Sequence, residues 1–329
     1  MTAWTEISAA IRVRTSKCYA MNSLFVQRDG HVLLVDPGVL PSELDELAAA
    51  TQAVAPQFDR VSLAFTHPHW DHVLGVPWFP GARTFAHVGL ADELERDEAA
   101  IRTRADAALA EHGEQLPHAF AAFMPGLTAR GTTLVELGPF ELVTYDTPGH
   151  NGSHLAYWLP QHGVLFAGDL LSDIEIPWLD GPPWVYRASL KALHWLFEQE
   201  DVRTLVPGHG PVASGRRAGY RRLLRDMDYL MHLEKKVGAA WQRGLSLEET
   251  RAELATMEYV GKDAAYAMND VHAENVRFAY GALAESATTG GTDTPRGTDT
   301  PRGTDTPRGT DTPRGTDTPR GTDTTGGTE

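Results

Sequence analysis

The chain has 329 residues, 42% of them hydrophobic and 22% charged, with a formal net charge of −15 at pH 7. That length accommodates one large domain with an appendage, and the composition is ordinary for a globular protein. So acidic a body argues against nucleic acid as a partner, because the phosphate backbone demands a basic footprint.

No stretch approaches the roughly 18 apolar residues that read as a membrane span, so no membrane partner is expected. The N-terminal MTAWTEISAAIRVRTSK lacks a continuous apolar segment and a small-residue cleavage site, so no secretory signal is expected. Cys18 is the single cysteine; an intrachain disulfide is excluded, and a cytoplasmic location is the expectation.

In chain order, SLFVQ (23–27) and HVLLVD (31–36) read as strands around a hairpin turn at Arg28-Asp29-Gly30. Ser42 to Ala50 reads as a helix with Ser42 at its N-cap. VSLAFT (61–66) is a strand-like run that leads straight into His67. Residues 90–112 are Ala-rich and charged and predict a helix, with 113–130 an irregular connection and 88–130 a candidate lid. Further strands are expected at ELVTYD (141–146), LAYWL (155–159), VLFAG (164–168) and TLVPG (204–208), with an amphipathic helix over Leu190 to Glu198.

From Arg216 the pattern is helical over 216–243, 246–256 and 262–284, and Ser246 with Glu249 has capping-box spacing. The end is a hexapeptide, GTDTPR, repeated five times from Gly291 to Arg320. Without a large apolar side chain it cannot build a core, so 286–329 is expected to be a disordered tail. The expected organisation is therefore 1–215 as a catalytic domain, 216–285 as a C-terminal helical region, and 286–329 as the tail.

The densest chemistry lies in THPHWDH, residues 66–72. His67 and His69 are two apart on extended chain, so both imidazoles can face one way. Asp71 and His72 follow where the chain turns and can serve a second position. Imidazole and carboxylate suit zinc, and imidazole also suits iron. Three candidates to complete the set share one context, an apolar strand ending at a glycine turn: His150 in TPGHNGSH, Asp169 in LFAGDLL and His209 in LVPGHGP. Glycine beside a ligand allows close backbone approach, and a strand end holds a ligand better than a free loop.

HPHWDH followed in order by PGH, GD and PGHG resembles the metallo-β-lactamase-fold superfamily, and within it the glyoxalase II-like hydrolases, over roughly residues 11–215. The resemblance implies an α/β fold, a four-layer αβ/βα sandwich, here with a C-terminal helical extension. It implies two divalent metal ions, zinc foremost with iron or manganese as alternatives. His67, His69 and His150 would hold the first, Asp71, His72 and His209 the second, and Asp169 would bridge them. Asp36 in LLVDPG would support the site. Glu is expected at position 69 in the oxygen-reducing diiron branch, which His69 disfavours, and Asp169 separates the chain from the true β-lactamases. The basic substrate signatures of glutathione-thioester hydrolases are not evident in 216–285.

The function so implied is a dinuclear zinc hydrolase. Its metal-bridging hydroxide, made available because coordination lowers the pKa of water to about 7, would attack a small ester, thioester or lactone-like substrate, with Asp71 orienting it. The competing readings are an iron-dependent persulfide dioxygenase, a metal-dependent nuclease, and a non-catalytic metal-binding protein. His154 reads either as a supporting or substrate contact or as an ordinary hydrogen-bonded strand residue; His31 and His87 read as structural. Trp178, Trp184 and Tyr186 are candidates for an apolar pocket wall. The arginines at 216, 217, 221, 222 and 225 are candidates for an anion site, against the alternative of a solvated helix face.

Overall fold

The computed structural model describes residues 4–259 and 269–288. The repeat tail from residue 289 and positions 262–268 of the last expected helix lie outside the described residues.

Strands β1 (Trp4–Ser8), β2 (Ile11–Thr15), β3 (Asn22–Arg28), β4 (His31–Val35), β5 (Val61–Ala64), β6 (Arg83–His87) and β7 (Leu127–Ala129) form one sheet in that order. Pairing is antiparallel from β1 to β4 and parallel from β4 to β7. The predicted hairpin joins β3 to β4. Arg28 pairs with His31, so the turn is the two residues Asp29-Gly30. Both have positive φ, 50° and 72°, the geometry a tight hairpin requires.

The second sheet has the order β13-β12-β11-β10-β9-β8. Its strands are β8 (Thr133–Leu137), β9 (Phe140–Asp146), β10 (Leu155–Leu159), β11 (Val164–Phe166), β12 (Thr204–Val206) and β13 (Ala213–Ser214). β11 and β12 run parallel, which needs a crossover, supplied by the helix Pro183–Gln199.

Alternation along the strands sorts side chains into layers. Leu24, Val26, Leu33 and Val35 face Leu142, Leu155, Tyr157 and Phe166 between the two sheets. Phe25, Leu34 and Leu63 point the other way, onto α1 (Pro41–Gln52) and, beyond the short α2 (Trp70–Val73), α3 (Leu90–Glu111), through Leu47, Leu90 and Leu94. Trp158 and Leu165 cover the far side with Leu190 and Leu193 of α4 (Pro183–Gln199) and Leu223 and Leu230 of α5 (Arg216–Gln242). The result is the expected four-layer αβ/βα sandwich. β10 is buried at every position, as a strand covered on both faces must be. Each such aliphatic side chain contributes roughly 2 kcal/mol of burial.

Two local expectations are corrected. Ser42 is not the cap of α1: Leu40 occupies that position with Pro41 following, and proline is preorganised for the first helical turn. Ser42 instead donates its backbone N–H (2.9 Å) and hydroxyl (2.7 Å) to Glu114. α4 begins at Pro183, well before Leu190, which puts Trp184 and Tyr186 on a helix.

α6 (Leu247–Leu254) starts with the expected capping box, Ser246 and Glu249 each satisfying the other's backbone. α7 (Asn269–Thr288) packs back on the second half of the molecule. Its Asn275 donates to the Pro177 carbonyl at 2.6 Å and accepts the Leu179 N–H at 2.9 Å, fixing the 176–180 loop. No helix among the described residues is long and apolar enough to cross a membrane.

Candidate metal centre

His67, Asp169 and His209 each lie three residues beyond a strand, β5, β11 and β12 respectively. The first strand belongs to one sheet and the other two to its partner, and the three side chains meet at one edge of the sandwich. His69, Asp71 and His72 come from the turn into α2, and His150 from the β9–β10 connection. All seven residues named from the sequence are brought together. They form two groups able to hold a metal ion, His67, His69, His150 and Asp169 in one, and Asp71, His72 and His209 in the other; within each, the ligand atoms lie within 4.8 Å of one another.

Asp169 sits between them with its two oxygens divided. Oδ2 faces His150 Nε2 at 3.2 Å and His67 Nε2 at 3.5 Å, while Oδ1 faces His72 Nε2 at 3.2 Å and His209 Nε2 at 3.4 Å. Asp71 Oδ2 lies 3.2 Å from His209 Nε2. His69 Nδ1 lies 3.0 Å from His150 Nε2. His67 Nε2, His72 Nε2 and Asp169 Oδ1 are buried without a hydrogen bond of proper geometry. Orphaned polar atoms of this kind are rare in native interiors. A crowd of imidazole nitrogens and carboxylate oxygens aimed at one another matches a divalent cation's ligand set.

The ring nitrogens turned away from the centre are held. His209 Nδ1–H donates to the Tyr19 carbonyl at 3.0 Å and His150 Nδ1–H to the Trp178 carbonyl at 3.2 Å. His72 Nδ1–H donates to Asp36 Oδ2 at 2.8 Å. His67 Nδ1–H donates to the Thr66 hydroxyl at 2.9 Å, which in turn donates to the same Asp36 oxygen at 2.6 Å. The other Asp36 oxygen accepts the Thr66 N–H at 2.7 Å. Outer partners of this kind fix tautomer and ring orientation. Asp36 serves both groups at once, from a fully buried position with φ of +50°. Its place beside the site agrees with the sequence expectation.

His154 resolves to a supporting position outside both groups. Its Nδ1–H donates to the Thr147 hydroxyl at 2.7 Å, and its Nε2 accepts the Asp169 N–H at 3.2 Å. The neighbouring glycines have steric reasons. A Cβ on Gly168 would meet His154 Nε2 at 2.4 Å, and one on Gly208 would meet Asp169 Oδ1 at 2.1 Å.

Electrostatically the site is split. Burial, with neighbouring histidines, drives His67 and His154 well below the ordinary imidazole range and His69 down to about 3. Burial pulls His72 and His209 the same way, but Asp169 outweighs it, helped at His72 by Asp71 and Asp36 and at His209 by Glu175, so both lie well above that range. Burial raises Asp169, yet His72, His209 and His67 overcome it and hold the carboxylate ionised. Burial and the nearby Asp71 push the Cys18 thiol up to about 12.

The sequence profile of the metallo-beta-lactamase superfamily matches residues 18–209, more than half of the chain. The chain belongs to that superfamily. Among curated relatives it is similar to a hydroxyacylglutathione hydrolase of Methylobacterium nodulans, 29% identical over 56% of this chain and 64% of that protein. It is likewise similar to one of Aeromonas hydrophila, 31% identical over 51% and 54% respectively. The chain thus spans less than two thirds of these relatives' lengths. Among solved structures, a metallo-beta-lactamase family protein of Thermus thermophilus shares the fold, with a TM-score of 0.56 and 22% identity over 83% of this chain and 94% of that one.

In this member of the superfamily the ligand groups open into a pocket of about 790 Å³. Its walls are Tyr19 and Trp70 beside the motif, Arg104, Ala107 and Glu111 on α3, the 175–180 loop, and Glu274, Arg277 and Phe278 on α7. Of the three aromatics singled out in the sequence, only Trp178 lines it. Trp184 stands exposed on α4, and Tyr186 is core, donating its hydroxyl to the Asp169 carbonyl at 3.3 Å. The five arginines from 216 to 225 do not line it. Arg222 and Arg225 hold Asp173 at 3.5 and 2.6 Å. The helix of the 88–130 segment is a wall of the pocket. Tyr19, Glu175 and the α7 residues escaped the sequence reading because only chain folding brings them to the ligands; no local motif marks them.

Proposed function

We propose that the chain is a dinuclear metal-dependent hydrolase, zinc-loaded, acting on a small ester, thioester or lactone-like substrate. The observation that carries this reading is Asp169, whose two oxygens are shared between two groups of histidines with buried, unsatisfied nitrogens. His67, His69 and His150 would hold one ion, Asp71, His72 and His209 the other, with one oxygen of Asp169 for each. Such ions, when bound, supply electrophilic polarisation and a nucleophile at neutral pH.

The protein's own residues supply the rest. Asp36 and Thr66 hold the His67 and His72 rings, and the carbonyls of Tyr19 and Trp178 hold His209 and His150. Asp71, on the pocket side, would orient the attacking water. Trp70, Trp178 and Phe278 offer apolar surface for the substrate's non-reacting part, in keeping with a small molecule as partner. The name carried by the curated relatives supports a thioester among the candidate substrates.

The test is elemental analysis of purified protein, followed on the same sample by ester, thioester, lactone, β-lactam and phosphodiester substrates. Two zinc ions per chain with ester, thioester or lactone turnover are expected. Iron with oxygen uptake on a persulfide, or RNA cleavage, would replace this reading.

A further inference from the structure

Glu175 has no part in the roles described so far. It lies on the loop between Asp169 and α4, and its partly buried side chain lines the same pocket as Asp71, His150, Asp169 and His209. Its backbone is pinned to the site. The N–H groups of Ile174 and Glu175 both donate to the Ser172 hydroxyl at 3.2 Å, and that hydroxyl donates to the His209 carbonyl at 3.0 Å. The carboxylate itself makes no hydrogen bond and no ion pair among the described residues.

The other pocket carboxylates outside the ligand groups are differently placed. Glu274 is engaged by Arg277 at 2.6 Å and Arg251 at 3.1 Å, and Glu111 and Asp180 are exposed. A carboxylate set without a protein partner in the wall of this pocket is open to a group that arrives with the substrate.

The geometry points to Glu175 as a proton shuttle, its carboxylate taking a proton from the attacking water and delivering it to the leaving oxygen or sulfur. This rests on the hydrolase reading above. As the water oxygen bonds to the carbonyl carbon, one of its O–H bonds breaks toward Glu175 and the carbonyl π pair moves onto its oxygen. That pair returns as the bond to the leaving atom breaks. The leaving atom takes the proton from Glu175, which reverts to carboxylate, and the water's second hydrogen stays on the new acid.

The test uses the full metal-loaded chain and a series of esters of one acid, from nitrophenyl to simple alkyl leaving groups. For Glu175→Gln the loss in kcat should grow along the series, from a few-fold on the nitrophenyl ester to about 100-fold on the alkyl esters. Metal content and melting midpoint should match the wild type, and Glu175→Asp should regain part of the alkyl-ester rate. A uniform loss across the series, no loss, or a fall in metal content that tracks activity would overturn the shuttle while leaving the hydrolase reading intact. A wild-type protein that turns over no ester or thioester would overturn both.

Discussion

Asp36 and His72 meet in a fully buried contact of 2.8 Å, and the same Asp36 oxygen also accepts the Thr66 hydroxyl that carries His67. One carboxylate therefore aims a histidine of each ligand group. Asp36→Asn keeps the shape but presents N–H groups where three donors converge. Metal affinity should drop about 10- to 100-fold, with about 1–3 kcal/mol lost from stability. Chelator competition and urea unfolding measure the two; unchanged affinity would remove Asp36 from the supporting role.

Asp169→Asn tests the shared ligand. The amide cannot offer an ionised oxygen to each side, so elemental analysis should find at most one metal ion per chain, and turnover should fall in parallel. Two tightly held ions in the variant would mean that the histidine groups close without it.

Gly208→Ala probes close approach. The added methyl would sit 2.1 Å from Asp169 Oδ1, so metal content should fall and stability should drop by about 1–3 kcal/mol. Gly238→Ala, on α5 with nothing within 4 Å of the added atom, should instead gain about 0.5–1 kcal/mol. The pair separates a local clash from a general intolerance of alanine.

His154 gives a pH prediction for metal-free protein. Burial holds its folded pKa well below the ordinary 6.5, so below that value the unfolded chain binds the extra proton. Its contribution to stability is fully present above about 6.5 and is lost as pH falls toward the folded value, by up to about 1.4 kcal/mol per unit. In chelator, His154→Asn should show a shallower fall in melting midpoint between about pH 6.5 and 5.5 than the wild type. Parallel curves would place the proton elsewhere.

How much was legible in the sequence follows from where each signal resides. The seven ligand candidates stood out because ligand chemistry needs particular side chains next to glycine-bounded strand ends, and both are local. The sandwich followed from the same motif order. The start of α4 did not, because Pro182-Pro183 reads as a loop although proline is well suited to a first helical turn. β8 escaped because its burial is incomplete, with Thr133 and Leu134 exposed, so no clean alternation marks it. Glu175, Tyr19 and the α7 side chains depend on packing between segments far apart in the chain, which no window of sequence contains.

Each ligand group draws from both halves of the sandwich. His67 and His69 wait for His150, and Asp71 and His72 wait for His209. Neither half of the chain owns a complete cage, so a captured cation reports that the two halves have docked in register. An ion lodged there would act as a clamp across the seam, and a chain cut between β7 and β8 should bind metal only when the two fragments are mixed.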